Sequence, residues 1–330
     1  MPQHQNTGIS IKQIAQLTGL SVATVSRVIN RKGYYSQAAE EKVRRVAEEY
    51  HYVPNLIARS LKTRRTDTIG VIIPDINGDF FARAVLQLQL GFFAHGYSTI
   101  IFNTNHDLKL ADACMNMMRS NQVSGIVNFT GAVIAEEYAA HVPVLYFDRK
   151  PDDDTAGPYL VGDNRMGGYL AGELLARRGC RRPAVLVPAN LSANHTGRLE
   201  GFLSAMRTAE LEEQTLSIRA GGFTIEDGSA AMIPRLLGGD CDGVFCVNDY
   251  LTTGVLQAVR HLGLDVPQRL RIVGYDVDSV LRLIRPTFTT VVQPLEQMTS
   301  LAVENLLRLI DGEDVDSVTL PVRLVTGETA

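Results

Sequence analysis

The chain is poor in cysteine and has none in the arrangements that bind metals or form local disulfides. Its four cysteines, Cys114, Cys180, Cys241 and Cys246, include no CxxC pair and no metal-ligand spacing with histidine. Isolated cysteines are commonly small buried hydrophobes in proteins whose thiols stay reduced. The sequence therefore predicts buried, reduced thiols and indicates neither a metal site nor a cofactor.

Long apolar runs and several enzyme motifs are also missing. The N-terminus, MPQHQNTG, lacks the apolar core of a secretory signal, and no apolar run approaches the roughly 18 residues of a membrane span. These features predict a cytoplasmic protein. No strand is followed by GxGxxG, and neither GxxxxGK[ST] nor GxSxG occurs. We therefore do not expect an enzyme.

The charge is distributed unevenly along the 330 residues. Residues 1–65 contain eleven lysines and arginines against four acidic residues, a net charge of +7. The remaining residues contain 21 against 32, a net charge of −11. A hydrophobic fraction of 45% is typical of a globular protein, and this length allows two or three domains. The asymmetry predicts a basic head that binds a polyanion and an acidic body that does not.

Residues 10–30 have the spacing of a helix-turn-helix, a motif that reads DNA. A small residue, a glycine four positions later and an apolar residue on the second helix are the core of the pattern. The apolar and small positions are Ile14, Ala15, Gly19, Leu20, Val25 and Val28. The S-x-x-Q sequence at Ser10 predicts a capped helix from Ile11 to about Thr18, and Ser21 is predicted to cap the second helix. A third helix is predicted over 36–50.

From Thr68 onward, apolar runs such as IGVIIPD, PVLYFDR and RIVGYD alternate with amphipathic stretches. This alternation predicts two parallel sheets with helices on both faces, one before about Asp163 and one after it. Ligands of such folds bind at the carboxyl ends of the strands. The polar residues predicted at those ends are Asp75, Asn128, Asp148, Asn248 and Asp276.

With head, linker and body in this order, the chain resembles the lactose/galactose repressor (LacI/GalR) family. The most specific segments are ATVSRVIN, YVPNLIARSLK, DNRMGGYLAGELL and RIVGYD. The resemblance implies a small all-α helix-turn-helix head with a hinge helix, followed by an α/β periplasmic-binding-protein-like body of two Rossmann-like lobes. The implied boundaries are 1–54 for the head, 55–67 for the hinge and 68–330 for the body. Lobe one is expected at about 68–163 and 293–320, and lobe two at about 164–292 and 321–330.

The resemblance also implies which residues contact double-stranded operator DNA. Val22, Ala23, Ser26 and Arg27 match the recognition helix, where Arg27 is expected either to read a guanine edge or to clamp a phosphate. Leu61 matches a hinge leucine that wedges into the minor groove. The full predicted set is Ser10, Ser21, Val22, Ala23, Ser26, Arg27, Asn30, Ser36, Asn55, Arg59, Leu61 and Lys62. Two heads of a homodimer are expected to bind one near-palindromic site, which would place the protein on the nucleoid.

The body resembles ribose-type periplasmic sugar-binding proteins at several positions. Carboxylates and arginines bind paired hydroxyls, and phenylalanine rings stack on the apolar face of a sugar. The predicted effector site is Asp75, Phe80, Phe81, Asn128, Asp148, Arg149, Arg198, Phe223, Asn248, Asp276 and Gln293. Gly78 stands where those proteins usually carry asparagine, and Asp75 or Asp79 could compensate for the missing contact.

Several alternatives stay open at this stage. Phe80 and Phe81 could be core residues, and Asp148 with Arg149 could be a surface ion pair. We expect a repressor of a carbohydrate-utilisation operon that is controlled by a small sugar effector. The effector expected first is a monosaccharide. The alternatives are a regulator that responds to a nucleoside, purine or sugar phosphate, and a cytosolic sugar-binding protein without DNA function.

Overall fold

The structure, a computed structural model of the chain, describes residues 9–30, 33–52, 66–134, 142–151, 153, 156–277 and 285–330. The chain divides into two units, Met1–Thr66 and Asp67–Ala330. The predicted hinge helix lies outside the described residues. In the described ranges, no helix has both the length and the apolar character that crossing a bilayer requires.

The first unit contains three helices, α1 (Ile11–Thr18), α2 (Val22–Asn30) and α3 (Gln37–Glu49). The predicted bounds of α1 are confirmed, including a capping box between Ser10 and Gln13. Gly19 ends α1 with a φ of 70°, a left-handed conformation that glycine adopts without strain. The third helix is one residue shorter at each end than predicted, because Ser36 is its N-cap and Tyr50 its C-cap.

The helices of the first unit enclose a small apolar core. Ile14 and Val25 are fully buried, and Val43 is 1% exposed. Val28 and Val46 complete the same cluster. The apolar positions predicted for the helix-turn-helix therefore face one another, which leaves the opposite side of α2 to solvent.

The second unit contains two six-stranded sheets. The first has the order β11-β5-β4-β3-β1-β2 and is parallel throughout. Its strands are β1 (Thr68–Ile73), β2 (Ser98–Asn103), β3 (Gly125–Asn128), β4 (Val144–Phe147), β5 (Tyr159–Gly162) and β11 (Val318–Leu320). Its helices are α4 (Asp79–Ala94), α5 (Leu108–Ser120) and α10 (Leu295–Ile310). We call this sheet and its helices the first lobe.

The second lobe is built in the same way around the other sheet. The strand order is β12-β10-β9-β8-β6-β7, with β12 antiparallel to β10. Its strands are β6 (Pro183–Val187), β7 (Leu216–Arg219), β8 (Gly243–Cys246), β9 (Arg271–Tyr275), β10 (Thr289–Val292) and β12 (Arg323–Val325). Its helices are α6 (Asn164–Arg177), α7 (Ala193–Thr208), α8 (Ile225–Gly238) and α9 (Asp249–His261). The prediction of two parallel sheets is confirmed for the strands of this sheet other than β12, which runs antiparallel at its edge.

The chain crosses between the lobes three times, after β5, after β10 and after β11. The second crossing is clear from α10, which follows a strand of the second lobe but packs on β3 and β4 of the first. Each lobe has its own apolar core. The carboxyl ends of the parallel strands therefore face a cleft that polypeptide from both lobes lines.

Candidate functional site

The exposed face of α2 carries the residues predicted to contact DNA. Val22 is 45% exposed, Ala23 and Arg27 are exposed, and Ser26 is partly exposed. Val25, between them, is fully buried, so the helix separates a contact face from a packing face. Most of the contact face is apolar or small. Arg27 is the long cation that this face exposes among the described residues of α2.

Three serines of the predicted DNA-contact set have structural roles in the head. The side-chain oxygens of Ser10, Ser21 and Ser36 accept the backbone N–H groups of Gln13, Thr24 and Ala39 at 3.3, 3.1 and 3.3 Å. Each serine is thus an N-cap, and its position marks the positive end of a helix. The other predicted DNA contacts, Asn55, Arg59, Leu61 and Lys62, lie outside the described residues, as does the side chain of Asn30.

A cavity of about 690 Å³ lies in the cleft between the two lobes. Loops that follow β1, β2, β4, β6, β8 and β9 contribute to its lining. The structure brings ten of the eleven predicted effector residues to this cavity. They are Asp75, Phe80, Phe81, Asp148, Arg149, Arg198, Phe223, Asn248, Asp276 and Gln293.

Asn128 is the predicted residue that does not line the cavity. It ends β3, is 1% exposed, and its side chain is bound by the loop that follows. Its Oδ1 accepts the N–H and the hydroxyl of Thr130 at 2.9 and 2.7 Å, and its Nδ2 donates to the carbonyl of Ala132 at 3.0 Å. The strand end was predicted correctly, but a local turn uses both ends of the amide. Asn128 therefore shapes a loop beside the cleft.

The floor of the cavity is a carboxamide between two carboxylates. The Nε2 of Gln293 donates to Asp148 Oδ1 at 3.0 Å and to Asp276 Oδ2 at 2.8 Å. Both aspartates have left-handed φ angles, 66° and 49°. Such strained backbone in non-glycine residues is concentrated at functional sites. Burial, partly opposed by the charge of Arg198, raises the pKa of Asp276 to about 6.

Arg198, on α7, is held in place from several directions. Its Nε donates to Asn164 Oδ1 and one terminal nitrogen donates to the carbonyl of Val247, both at 2.7 Å. The guanidinium carbon lies 3.4 Å from the centre of the Tyr275 ring, a cation–π contact. The cation is therefore oriented before any ligand arrives, and orientation in advance lowers the entropic cost of binding.

Arg149 differs from Arg198 because it forms no hydrogen bond or ion pair with any side chain or backbone group in the described ranges. Burial and the nearby charge of Arg198 lower its pKa, while Asp148 acts in the opposite direction. A guanidinium has five N–H donors, and those of Arg149 are not used by the described residues. Arg149 can therefore donate to a ligand in the cavity.

The two phenylalanines on α4 belong to both the cavity and the core. Phe80 and Phe81 line the cavity and are partly exposed to it. Their rings meet edge-on at 5.5 Å, and Phe81 meets Phe129 of the first-lobe core at 6.0 Å. Core packing thus holds the rings in place while one side of each stays open to a ligand.

Sequence reasoning missed several residues that line the cavity, among them His106, Asp249, Tyr250 and Tyr275. Asp249 and Tyr250 follow Asn248, whose side chain caps α9 by accepting the N–H of Leu251 at 2.8 Å. Asp249 and Tyr250 directly follow a polar residue that the sequence placed at a strand end, and this position is a signal that could have identified them. Burial, reinforced by the charge of Asp276, raises the pKa of Asp249 to about 6.

His195 also lines the cavity and is uncharged. Burial, with the charges of Arg198, Arg149 and His106, lowers its pKa to about 3. Its Nδ1 lies 3.3 Å from the N–H of Ser192 and accepts it. The neutral ring therefore carries its hydrogen on Nε2, a donor that a ligand oxygen can use.

Asp75 and Asp79, which could replace the asparagine missing at Gly78, lie at different cavities. Asp75 lines the cavity, and its Oδ2 accepts the Tyr250 hydroxyl of the other lobe at 2.9 Å. Asp79 instead lies 3.6 Å from Arg83 and lines a smaller cavity of about 290 Å³. Asp75 is thus the carboxylate available to a ligand in the cleft.

Comparison with known proteins supports the architecture. Residues 10–55 match the profile of bacterial regulatory proteins of the lacI family, and residues 173–330 match that of a periplasmic binding protein-like domain. The structure of a lac repressor dimer bound to operator and the anti-inducer ONPF superposes with a TM-score of 0.85. That match is 23% identical and covers 98% of this chain and 99% of the other, so it shows the fold.

Sequence relatives extend over nearly the whole chain. The sucrose operon repressor of Lactococcus lactis subsp. lactis is 32% identical over 322 residues, 97% of this chain and 99% of the relative. The transcriptional repressor PurR of Klebsiella pneumoniae subsp. pneumoniae is 31% identical over 327 residues, which cover 96% of this chain and 95% of the relative. Head, two-lobed body and full-length similarity agree, and the chain belongs to the lacI family of bacterial regulatory proteins.

Proposed function

We propose that the protein is a repressor of a carbohydrate-utilisation operon, binds a palindromic operator as a homodimer, and is controlled by a sugar effector. The chemistry of the cavity carries the effector part of this proposal. Arginines, carboxylates and aromatic rings surround one cleft, and these are the groups that bind paired hydroxyls and stack on sugar rings. We further propose residues 1–54 as the DNA-binding head, 55–67 as the hinge and 68–330 as the effector body.

The charge in the cavity favours a neutral ligand over a sugar phosphate. Four carboxylates, those of Asp75, Asp148, Asp249 and Asp276, lie among its lining residues with two arginines. His195 adds no positive charge, because burial and the neighbouring charges lower its pKa to about 3. A phosphate would have to bind beside this excess of negative charge, whereas hydroxyl groups can donate to it.

An apolar face on α4 supports the homodimer. Leu86, Leu90 and Phe93 are 55%, 61% and 75% exposed and lie at helical spacing on one side of the helix. Ile101, on the edge strand β2, is 41% exposed. An exposed apolar patch of this kind marks an association surface, and a two-headed assembly matches a two-fold operator.

We propose that the cavity binds its ligand without converting it chemically. We further propose that this regulatory protein is located in the cytoplasm, on the bacterial nucleoid. Arg198 is oriented by its hydrogen bonds to Asn164 and Val247, and Nδ1 of His195 accepts the N–H of Ser192 at the start of its own helix. No group of three or more histidine, cysteine, aspartate or glutamate side chains suited to a metal ion occurs in the described part of the chain.

The proposal is tested with full-length protein in two steps. Selection from a random double-stranded DNA pool should enrich a palindrome. Sugars should then shift the unfolding temperature and change the anisotropy of a labelled copy of that palindrome. A ligand at 100 times its Kd adds about 2.7 kcal/mol to stability, which such a measurement detects.

Arg198→Ala should abolish the sugar response while operator binding without sugar stays unchanged. The matched control is Arg207→Ala, an exposed arginine of the same helix paired with Glu212, and it should respond normally. Arg198→Lys is a second test in case the alanine variant folds poorly. It keeps the positive charge but loses the planar guanidinium, and it should therefore lose most of the sugar response. A normal response of Arg198→Ala, or a response to nucleosides alone, would contradict the sugar proposal.

A further inference from the structure

Two groups of side chains that can bind hydroxyl groups line the cavity. The inner group surrounds the floor and joins carboxylates to a guanidinium and an amide; it comprises Asp148, Arg198, Asp276 and Gln293. The outer group joins a carboxylate and a hydroxyl to two aromatic rings; it comprises Asp75, His106, Phe223 and Tyr250. All eight residues line the same cavity.

Contacts hold the members of each group together. Gln293 binds both aspartates of the inner group. In the outer group, the Tyr250 hydroxyl donates to Asp75 at 2.9 Å, and the rings of His106 and Phe223 lie 4.6 Å apart. The charges of Arg198, from the inner group, and His106, from the outer group, both act on His195, which lines the same cavity.

The outer group has the properties of a second ring-binding site. Phe223 is 39% exposed, so an apolar ring surface stands at the mouth of the cavity. Asp75 and Tyr250 supply an acceptor and a donor beside it, and they come from different lobes. Ring stacking with carboxylate and hydroxyl hydrogen bonding is the chemistry expected for a sugar ring.

The size of the cavity agrees with two rings. Its volume of about 690 Å³ lies well within the range of about 300–1,000 Å³ that encloses drug-sized ligands, which are larger than one sugar ring. Gly78 also lines the cavity and carries no side chain that would divide it. A monosaccharide on the inner group would leave the outer group without a ligand contact.

We propose that the effector is a disaccharide or a glycoside of that length, with one ring on the inner group and the second on the outer group. This inference rests on the proposed sugar-responsive function and replaces the monosaccharide expected from the sequence. His106 and Phe223 then determine specificity for the second ring, while the inner group recognises the first.

The test is calorimetric titration of the full-length protein with sucrose, maltose, cellobiose, lactose and trehalose, and with their constituent glucose, fructose and galactose. One disaccharide should bind at least about tenfold more tightly than either of its own monosaccharides. His106→Ala and Phe223→Ala should each weaken that disaccharide about tenfold, as expected for a lost stacking contact, and should leave monosaccharide binding within about twofold. Leu237→Ala, 71% exposed and outside the cavity lining, is the control and should change neither.

Two results would overturn the two-ring assignment: monosaccharides that bind as tightly as the disaccharides, or outer-group variants that weaken both classes equally. The failure of the underlying function looks different. In that case no sugar of either class binds, or Arg198→Ala binds sugar as the unaltered protein does. Operator binding by every variant, measured without sugar, shows that each is folded.

Discussion

Asp249 and Asp276 are buried carboxylates that the folded protein holds at a cost. Burial raises the pKa of each from 3.8 to about 6. Between about pH 4 and 6 the folded state therefore binds protons that the unfolded state has released. Stability from this source is complete below pH 4 and is lost as the pH rises through 6. At neutral pH both groups are charged in a site where ligand hydroxyls can compensate them.

Asp249→Asn should raise the free energy of unfolding at pH 7.5 by on the order of 1–3 kcal/mol, because it removes the cost of a buried charge. The gain should be much smaller at pH 4.5. Urea unfolding at both pH values measures it, with the exposed Asp314→Asn as a control that changes neither. An equal gain at the two pH values would show that the effect does not come from ionisation.

At the scale of elements, the contact between α6 and α7 places Arg198. Gly168 and Gly201 face each other's helix so closely that a methyl group at either would collide with a backbone carbonyl, that of Arg198 or Arg165. The close approach brings Asn164, at the start of α6, to the guanidinium of Arg198. The glycines of the DNRMGGYLAGELL segment thus act on the cavity through helix packing.

Gly201→Ala should therefore destabilise the protein by about 1–3 kcal/mol and weaken sugar binding, since α7 must move away from α6. The matched control is Gly197→Ala, one turn earlier on α7, where the added methyl group would lie 3.3 Å from the side chain of Asn164. Urea unfolding and calorimetry should show a clearly smaller effect for the control. Similar losses for the two variants would mean that helix spacing is not the cause.

At the scale of the whole body, the lobes touch each other at several points in the cleft. Tyr250 of the second lobe donates to Asp75 of the first, and Asn194 donates to the carbonyl of Asp148 at 2.9 Å. The ring pair His106–Phe223 adds an apolar contact. These contacts favour the closed body, and a ligand that binds both lobes shifts the population further in the same direction.

Tyr250→Phe should shift the ligand-free body towards the open form by removing one hydrogen bond to a carboxylate, worth about 1–3 kcal/mol. Small-angle X-ray scattering should show a larger radius of gyration, and sugar affinity should fall. Tyr159→Phe is the control, because the Tyr159 hydroxyl makes no hydrogen bond within the described residues. A Tyr250→Phe protein with unchanged scattering and affinity would contradict the role of this contact in closure.

Much of the fold was predictable because local physics determines it. Ser10 and Gln13 are three residues apart and cap α1 wherever the helix lies, and Gly19 supplies a left-handed turn that other residues resist. The strand ends at Asp148 and Asp276 followed from apolar runs that stop at a polar residue. Asn128 shows the limit of this reasoning, because a strand-end position does not say whether a turn will use its side chain.

The helix-turn-helix, the two sheets and the family could be inferred from the order of residues, since they depend on spacing, capping and hydrophobic period over short distances. Which side chains share the cleft depends on how distant parts of the chain fold together. Asp75 and Tyr250 are far apart in the chain, and they meet because the chain passes from the first lobe to the second after β5 and the two lobes then close on one cleft. The set of side chains that lines the cavity, and with it the proposed ligand, depends on that long-range arrangement, which no local pattern encodes.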